Sequence, residues 1–538
     1  MKKNKIQSIL HSKGYVSIET LIVAGLIIAT GAFLISKLVW KGKNVAISSN
    51  NNMSNASKAL DDDSFDNNNN DNNQTTNPGG GDSTAPKIED VTCSLENPSD
   101  LADYKYQIID DDYINTRLKE IETKIKREGE NSFNAEDIYL KKAPIEDLKA
   151  YKGGIIITGY KGTNTDLKIP ECIDNKKVVA IGFKAFINKG LTSVNIPNSV
   201  VSIDELAFWS NKINSIKIPD GVISIGDEAL GNNDATSVIL GNNVKNIGEM
   251  VFENNALTSA QLGNNLEKIG RRAFTENQLT SIIIPNNVIY IGDYAFEINQ
   301  LTSITIGNKT KTIGEYAFQR NKITSIIIPD SVTSIGQSAF TRNSLKSLTI
   351  SKNISTIEHG VFSYNKLESL VIPNNITSIG DGAFEFNNLK LITIPNSVVS
   401  IGVSAFSENK LTSIDVPNSV TKIGKCAFSE NHLTSFNLPD NITTLPKDVF
   451  RNNYFENITI PKNITKIDED VFCENKYLET VVIPDTVTSI ETGAFGNDKN
   501  LKSVTMPKKF EKNKLDYFGR FNSEGHYYLA SDIKFNLI

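Results

Sequence analysis

The sequence predicts a repeat solenoid, preceded by an apolar helix and a polar tether, and three observations carry that prediction. A phenylalanine closes each unit at Phe186, Phe208, Phe252, Phe274, Phe296, Phe318, Phe340, Phe362, Phe384, Phe406, Phe428, Phe450, Phe472 and Phe495, with Leu230 in the one gap; the spacing is 22 residues until a last step of 23. An asparagine follows three residues later in thirteen consecutive units, from Asn211 to Asn475. The stretch from Leu279 to Asn299, L-T-S-I-I-I-P-N-N-V-I-Y-I-G-D-Y-A-F-E-I-N, is repeated with small changes along most of the chain. Self-similarity at a fixed period of this length marks a stacked array.

The N-terminus opens with Lys2, Lys3, Lys5 and Lys13, then Gly14-Tyr15-Val16-Ser17-Ile18-Glu19, then an apolar run from Leu21 to Ser36. One reading is an ordinary membrane anchor, since about 20 apolar residues span a bilayer. Lysines on both sides only weakly favour an inside N-terminus. A carboxylate at the edge of such a segment is costly as it nears the membrane centre, which calls for a reason. Glycine followed by an apolar residue, with glutamate fifth in the chain that cleavage would leave, resembles the type IV prepilin signal. The resemblance implies a leader 1–14 cut by a prepilin peptidase between Gly14 and Tyr15, methylation of the new amine, and a role for Glu19 in assembly with neighbouring pilin subunits. The helix expected over 15–41 is roughly 39 Å from Tyr15 to Trp40. It then turns polar where major pilins continue into a head, so the likeness is to a minor or pilin-like subunit.

Residues 42–86 are rich in Asn, Asp, Ser and Gly, with Asp61-Asp62-Asp63 and Asn67 to Asn70, and offer almost nothing to bury. They read as a tether of roughly 35–40 Å end to end. The aspartates lack the alternation and closing glutamate of a calcium loop. In 87–152, Ile114, Leu118, Ile121 and Ile125 recur at helical spacing among Lys and Glu, the pattern of an amphipathic helix. A second helical region is expected around Pro144, in two pieces, Ala135 to Lys142 and Ile145 to Tyr151. This region is expected to cover the open N-terminal end of the solenoid; a partner-binding helix is the alternative.

The array occupies 153–507. In each unit Leu279, Ile282 and Ile284 are expected to form a short strand pointing inward, and Val288, Ile291 and the Ala-Phe pair return on the other side after a turn. Stacking at the strand spacing joins the strands in a parallel sheet, and fifteen units make a rod on the order of 70 Å. The asparagine column reads as an amide ladder for turn backbone. After Pro507 the repeat decays into Phe510, Tyr517, Phe518, Phe521, Tyr527 and Tyr528, a C-terminal cap over 508–538.

These units resemble the BspA-type (treponemal) leucine-rich repeat family, L-T-S-I-x-I-P-x-S-V-T-S-I-G-x-x-A-F-x-x-N, and Gly154 to Pro170 is similar to its entry coil. The resemblance implies a right-handed leucine-rich solenoid on a bacterial cell surface, often an adhesin for host matrix proteins or other cells, and no enzyme. Gly241, Gly263, Gly307 and Ser351 stand where proline is expected, and Pro446 where glycine is.

The formal charge is −6, with +6 in 1–57 and −11 in 58–150, which leaves −1 for the array; a near-neutral array excludes a polyanion-binding face and with it nucleic acid. His11, His359, His432 and His526 do not cluster, and no phosphate loop or paired metal ligands occur, so no catalytic centre, cofactor or metal is expected. Cys426 and Cys473 lie two coils apart, too far for a disulfide; of the four cysteines, geometry allows only Cys93 with Cys172.

Function is therefore sought at the exposed strand position. It reads Asn195, Lys217, Ile239, Gln261, Ile283, Thr305, Ile327, Thr349, Val371 and Thr393, so aliphatic residues recur every 44 residues from 239 to 371. Either β-branched residues merely suit a pleated surface, or Ile239, Ile283, Thr305, Ile327, Thr349 and Val371 form a concave adhesive face. Two functions follow: a membrane-held or pilus-associated surface protein binding an extracellular protein ligand, or a structural minor pilin or secretion component with the solenoid as spacer.

Overall fold

The computed structural model describes residues 101–129, 132–521 and 526–538, all within one compact unit, Ala85–Ile538. The leader 1–14 with Gly14, the apolar stretch 15–41 with Tyr15 and Glu19, the tether 42–86 and Cys93 lie outside the described residues. Among the described residues no helix is long and apolar enough to cross a membrane.

Most coils contribute two short strands; those of Val371 and Thr393 keep only the second, with a single bridge in place of the first. In the unit beginning at Leu279 the two strands are Ser281–Ile283 and Tyr290–Ile291, so Leu279 and Ile284, expected within the strand, flank it in the turns. Both flanking residues are still buried, together with Ile282, Val288, Ile291, Ala295 and Phe296. The second strands pair in parallel from coil to coil, for example Tyr290↔Thr312 and Ile291↔Ile313. These ladders break between Ser334–Ile335 and Thr356–Ile357 and between Lys422–Ile423 and Thr444–Leu445, but within each a two-residue strand survives because its neighbours repeat it in register, and the core grows along one axis.

The phenylalanine column is the spine of that core. Phe274, Phe296 and Phe318 are fully buried, with ring centroids 5.1 and 5.3 Å apart and planes within a few degrees of parallel. The amide column holds the turn beside it. Asn299 Nδ2 donates to the carbonyls of Phe274, Phe296 and Glu297 at 2.9, 3.3 and 3.3 Å, while its Oδ1 accepts from Leu279 N at 3.0 Å. Two residues before and after the ring, the backbone enters the left-handed region at non-glycine positions, as at Tyr294 (φ 58°) and Ile298 (φ 53°). That conformation costs a non-glycine residue roughly 1–2 kcal/mol; here it aims Tyr294 N at Glu315 O of the next coil, 2.8 Å away. Glycine is needed at Gly292, where a Cβ would stand 2.7 Å from the backbone of Gly270 and Arg271 in the preceding coil.

The ends are closed by different means. At the N-terminal end, β1 (Tyr104–Ile108) pairs antiparallel with β2 (Ile155–Tyr160), and the rings of Tyr104 and Tyr160 lie against Phe186 with centroids 6.4 and 5.6 Å away. At the other end the column runs one ring further than the repeat pattern reaches, because Phe518 stacks on Phe495 at 5.2 Å. Strand Lys534–Leu537 then pairs in parallel with Ser503–Met506.

The helical region lies elsewhere than expected. Helices α1 (Asp111–Glu128) and α2 (Ala135–Glu146) run along the flank of the solenoid over the second strands, while β1 and its tyrosine cover the end. Asp110 caps α1 by accepting from Tyr113 N, and Asn134 and Asp137 form a capping box on α2. Ile114, Ile121 and Ile125 bury against Val179, Val201 and Ile223 of the first coils. Instead of two pieces around Pro144, α2 is one helix through it, followed by a 3-10 turn Asp147–Tyr151; the missing proline N–H falls in the last helical turn.

Candidate binding faces of the solenoid

The strand face carries the residues that the sequence singles out. Ile239, Ile283, Ile327 and Val371 are 45%, 71%, 73% and 82% exposed, in one column with exposed Thr305 and Thr349. The sheet beneath them is divided. Ser281–Ile283 pairs with Ser303–Thr305, Ser325–Ile327 with Ser347–Thr349, and Val371 bridges Thr393, but no ladder joins one doublet to the next. Each of these three pairs opens on an aliphatic residue and closes on a threonine, so from 283 to 393 the 44-residue period coincides with strand pairing, whereas Ile239 lies mid-sheet between Lys217 and Gln261.

The helical strap is held by charge as well as by apolar packing. Arg117 Nε donates to Asp204 at 3.0 Å and its Nη2 to Glu205 at 3.1 Å, with the guanidinium 4.1 Å from the Phe183 ring centroid. Lys141 Nζ sits between Asp227 (2.7 Å) and Glu249 (2.8 Å), all three nearly buried. Burial alone would lower the Lys141 pKa, but the two carboxylates more than offset this and raise it. Asn134 Nδ2 donates to the Tyr290 hydroxyl at 2.9 Å, and burial pushes Asp137, beside that hydroxyl, up to about 6. The sequence did hold a signal for this contact. Val179, Val201 and Ile223 are apolar at a position that later reads Lys245 and Glu267, and Asp204 stands where Gly226 and Gly248 stand in the next coils.

A third face was not foreseen. On either side of the asparagine column, Tyr364 stacks on Phe386 at 4.3 Å with Arg342 over Tyr364, and His432 stacks on Tyr454 at 4.5 Å with Lys476 over the latter. Aromatic residues two after the phenylalanine or one after the asparagine were the available signal. Among the described residues no group of His, Cys, Asp or Glu is placed to hold a metal ion. Cys426 and Cys473 are free thiols, and burial raises the pKa of both. Cys172 is disulfide-bonded, and Cys93, the partner that spacing allows, lies outside the described residues.

No curated protein matches the sequence. Among solved structures, a leucine-rich repeat protein from Bacteroides ovatus is similar at 21% identity, covering 72% of this chain and 96% of that one with a TM-score of 0.38. A leucine-rich cell surface protein from Faecalibacterium prausnitzii is 26% identical over 65% of this chain and 90% of its own, with a TM-score of 0.37. The pneumococcal vaccine antigen PcpA is 18% identical, with 71% and 88% covered and a TM-score of 0.37. The model of the BspA type leucine rich repeat region matches in six copies over residues 179–302, 289–410 and 399–523. Since those ranges span more than half of the chain, and the coils they cover are the ones stacked on the phenylalanine and asparagine columns, this protein belongs to the BspA-type leucine-rich repeat family.

Proposed function

We propose that the protein is an adhesin-like binding protein of a bacterial cell surface, which holds an extracellular protein ligand, from host matrix or another cell, on the strand face at 239–371. The observation that carries this reading is the column of exposed Ile283, Ile327 and Val371 set in register among threonines on a rigid backbone. Apolar side chains already fixed by paired strands bind with little ordering cost. The near-neutral array favours contact by shape and apolar area over long-range attraction. Changing Ile283, Ile327 and Val371 together to lysine leaves the fold intact, since all three face solvent, and weakens solid-phase binding to matrix proteins by at least about tenfold, or 1.4 kcal/mol. A folded triple variant that binds as before removes the strand face as the site and turns the solenoid into a spacer.

The display of this face is part of the same reading. The prepilin-like residues Gly14, Tyr15 and Glu19 support a membrane helix over 15–41, cut by a prepilin peptidase and able to assemble with pilin subunits. N-terminal sequencing tests it: a mature chain beginning at N-methylated Tyr15 supports pilin-like processing, and an intact Met1 in membranes of a host with the peptidase overturns it.

A further inference from the structure

Given the strand face as the site of a protein ligand, its spacing selects the kind of partner. Ile239, Ile283, Ile327 and Val371 stand two coils apart. Two coils advance about 9.6 Å at the strand spacing, and the phenylalanine rings of the core step 5.3 and 5.4 Å per coil across the same region. Exposed aliphatic side chains therefore recur at about 10 Å along the solenoid axis.

Seven residues of α-helix advance about 10.5 Å, and the helix is roughly 10–12 Å wide, about the span of a three-residue strand. A helix laid along the axis thus brings one apolar side chain per heptad over each aliphatic residue. From Ile239 to Val371 the column covers six coils, on the order of 29 Å, or about 19 residues of helix. The two repeats differ by about 1 Å or less, so they stay in register to within one coil over that length. An extended peptide repeats one side every two residues, about 6.7 Å, which matches neither one coil nor two. A polyproline II peptide, at about 9.3 Å per turn, comes nearer, but such peptides dock in aromatic-lined grooves. The strand positions from Ser237 to Thr393 hold no aromatic residue, which leaves nothing on which proline rings or the flat face of a sugar could stack.

The rim of the face sets the charge of the partner. Lys322 stands five residues before Ile327 and Lys366 five before Val371, on the turn that enters each strand, so these cations repeat at the same two-coil pitch as the aliphatic residues. Both are exposed, and among the described residues neither is held in an ion pair, whereas Lys390 is bound to Glu368 and Lys352 to Asp330. Lys346, on the coil between them, is exposed as well. Glutamates flanking the apolar stripe of a heptad helix would face this row of lysines. We propose that the strand face binds an amphipathic α-helix of a partner protein along the solenoid axis. An apolar residue at every seventh position lies over Ile239, Ile283, Ile327 and Val371, and acidic residues line the flank facing Lys322 and Lys366.

The test uses the full chain in detergent and fluorescence anisotropy with labelled three-heptad peptides, apolar at a and d. One carries Glu at e and g, a second carries Lys there, and a third is the acidic peptide shuffled to break the seven-residue repeat. A proline-rich peptide and cellohexaose represent the competing classes. The acidic heptad peptide should bind saturably and at least about tenfold more tightly than the basic or the shuffled one. Lys322→Glu with Lys366→Glu should reverse the preference between acidic and basic peptides. Ile327→Thr with Thr349→Ile keeps the composition of the face but breaks its pitch, and should weaken the acidic peptide about tenfold. All four side chains are exposed, and a fall in melting temperature in one variant leaves the other to decide. Failure of the acidic heptad peptide to bind, equal binding of the shuffled peptide, binding unchanged in both variants, or binding of the proline-rich peptide or cellohexaose in its place overturns the proposal. The strand-face reading fails separately: matrix-protein binding lost on changing Ile283, Ile327 and Val371 to lysine keeps it even where no helix binds, and binding retained there removes both.

Discussion

Ile283 and Thr305 stand opposite each other on paired parallel strands, whereas Ile283 has no ladder partner in the coil before it. Ile284 N donates to Thr305 O at 2.8 Å, and Ile328 N makes the equivalent bond to Thr349 O at 3.0 Å in the next doublet. The turn residues alternate in step: Pro285 and Pro329 follow the first strands, Gly307 and Ser351 the second. Pairing does not require this loss of proline, because the pairs Val371–Thr393 and Asp415–Asn437 close on strands followed by Pro395 and Pro439.

If the alternation serves pairing alone, its side chains are interchangeable. Ile283→Thr keeps a β-branched residue opposite Thr305 at an exposed site, and should change stability by less than about 0.5 kcal/mol. Urea unfolding checks this, and the same variant in a ligand-binding assay separates the two roles: unchanged stability with weakened binding marks the residue as contact surface.

Phe318→Ala should cost about 3–5 kcal/mol. The ring is fully buried between Phe296 and Phe340, with centroids 5.3 and 5.4 Å away, and the stacked coils cannot collapse around its absence without breaking the bond from Phe318 N to Ala339 O. A denaturation midpoint shift equivalent to less than about 1 kcal/mol would show that the coils adjust around the cavity.

Much of this architecture was legible because the array repeats one local rule. Phe318 and Asn321 recur at fixed spacing, so a single unit read correctly gives every other, including which face is buried. The strap was harder to read. Its amphipathic face over Ile114 to Ile125 was visible, but its docking site depends on Val201, Ile223 and Asp204, whose departures from the repeat are small next to its regularity. The C-terminal cap was legible from its aromatics, but the part of Tyr104 and Phe518 in the core column was not, because both extend it without the surrounding L-T-S-I sentence.

The strap should detach without unfolding the array. Lys141→Met leaves Asp227 and Glu249 facing each other, nearly buried and without their shared cation, a cost of about 3–5 kcal/mol. Hydrogen exchange should accelerate in Ala135–Glu146 while the amides of coils beyond Tyr290 keep their protection. Acceleration spread evenly over the whole array would mean that strap and solenoid unfold as one unit.

The amide column ends with a carboxyl, and that gives the last prediction. Asp498 stands three residues after Phe495, where the thirteen preceding units carry asparagine. It is 1% exposed; one oxygen accepts from Asn475 N at 2.7 Å and the other has no partner. Burial raises its pKa well above the carboxylate range, against the opposing effects of the Asn475 bond and Arg520. The folded state therefore binds the proton more tightly than the unfolded chain does. Stability contributed by the protonated form is fully present below the unfolded pKa and is lost as pH rises through the folded one. Asp498→Asn restores the amide of the other coils and carries no charge, so it should stabilise the protein at pH 7.5 by on the order of 1–2 kcal/mol, with the gain shrinking toward pH 3.5. Chemical denaturation of both proteins at the two pH values measures this directly. An asparagine variant less stable than the parent at pH 7.5 would mean that Arg520 pairs with an ionised Asp498 strongly enough to reverse the burial effect.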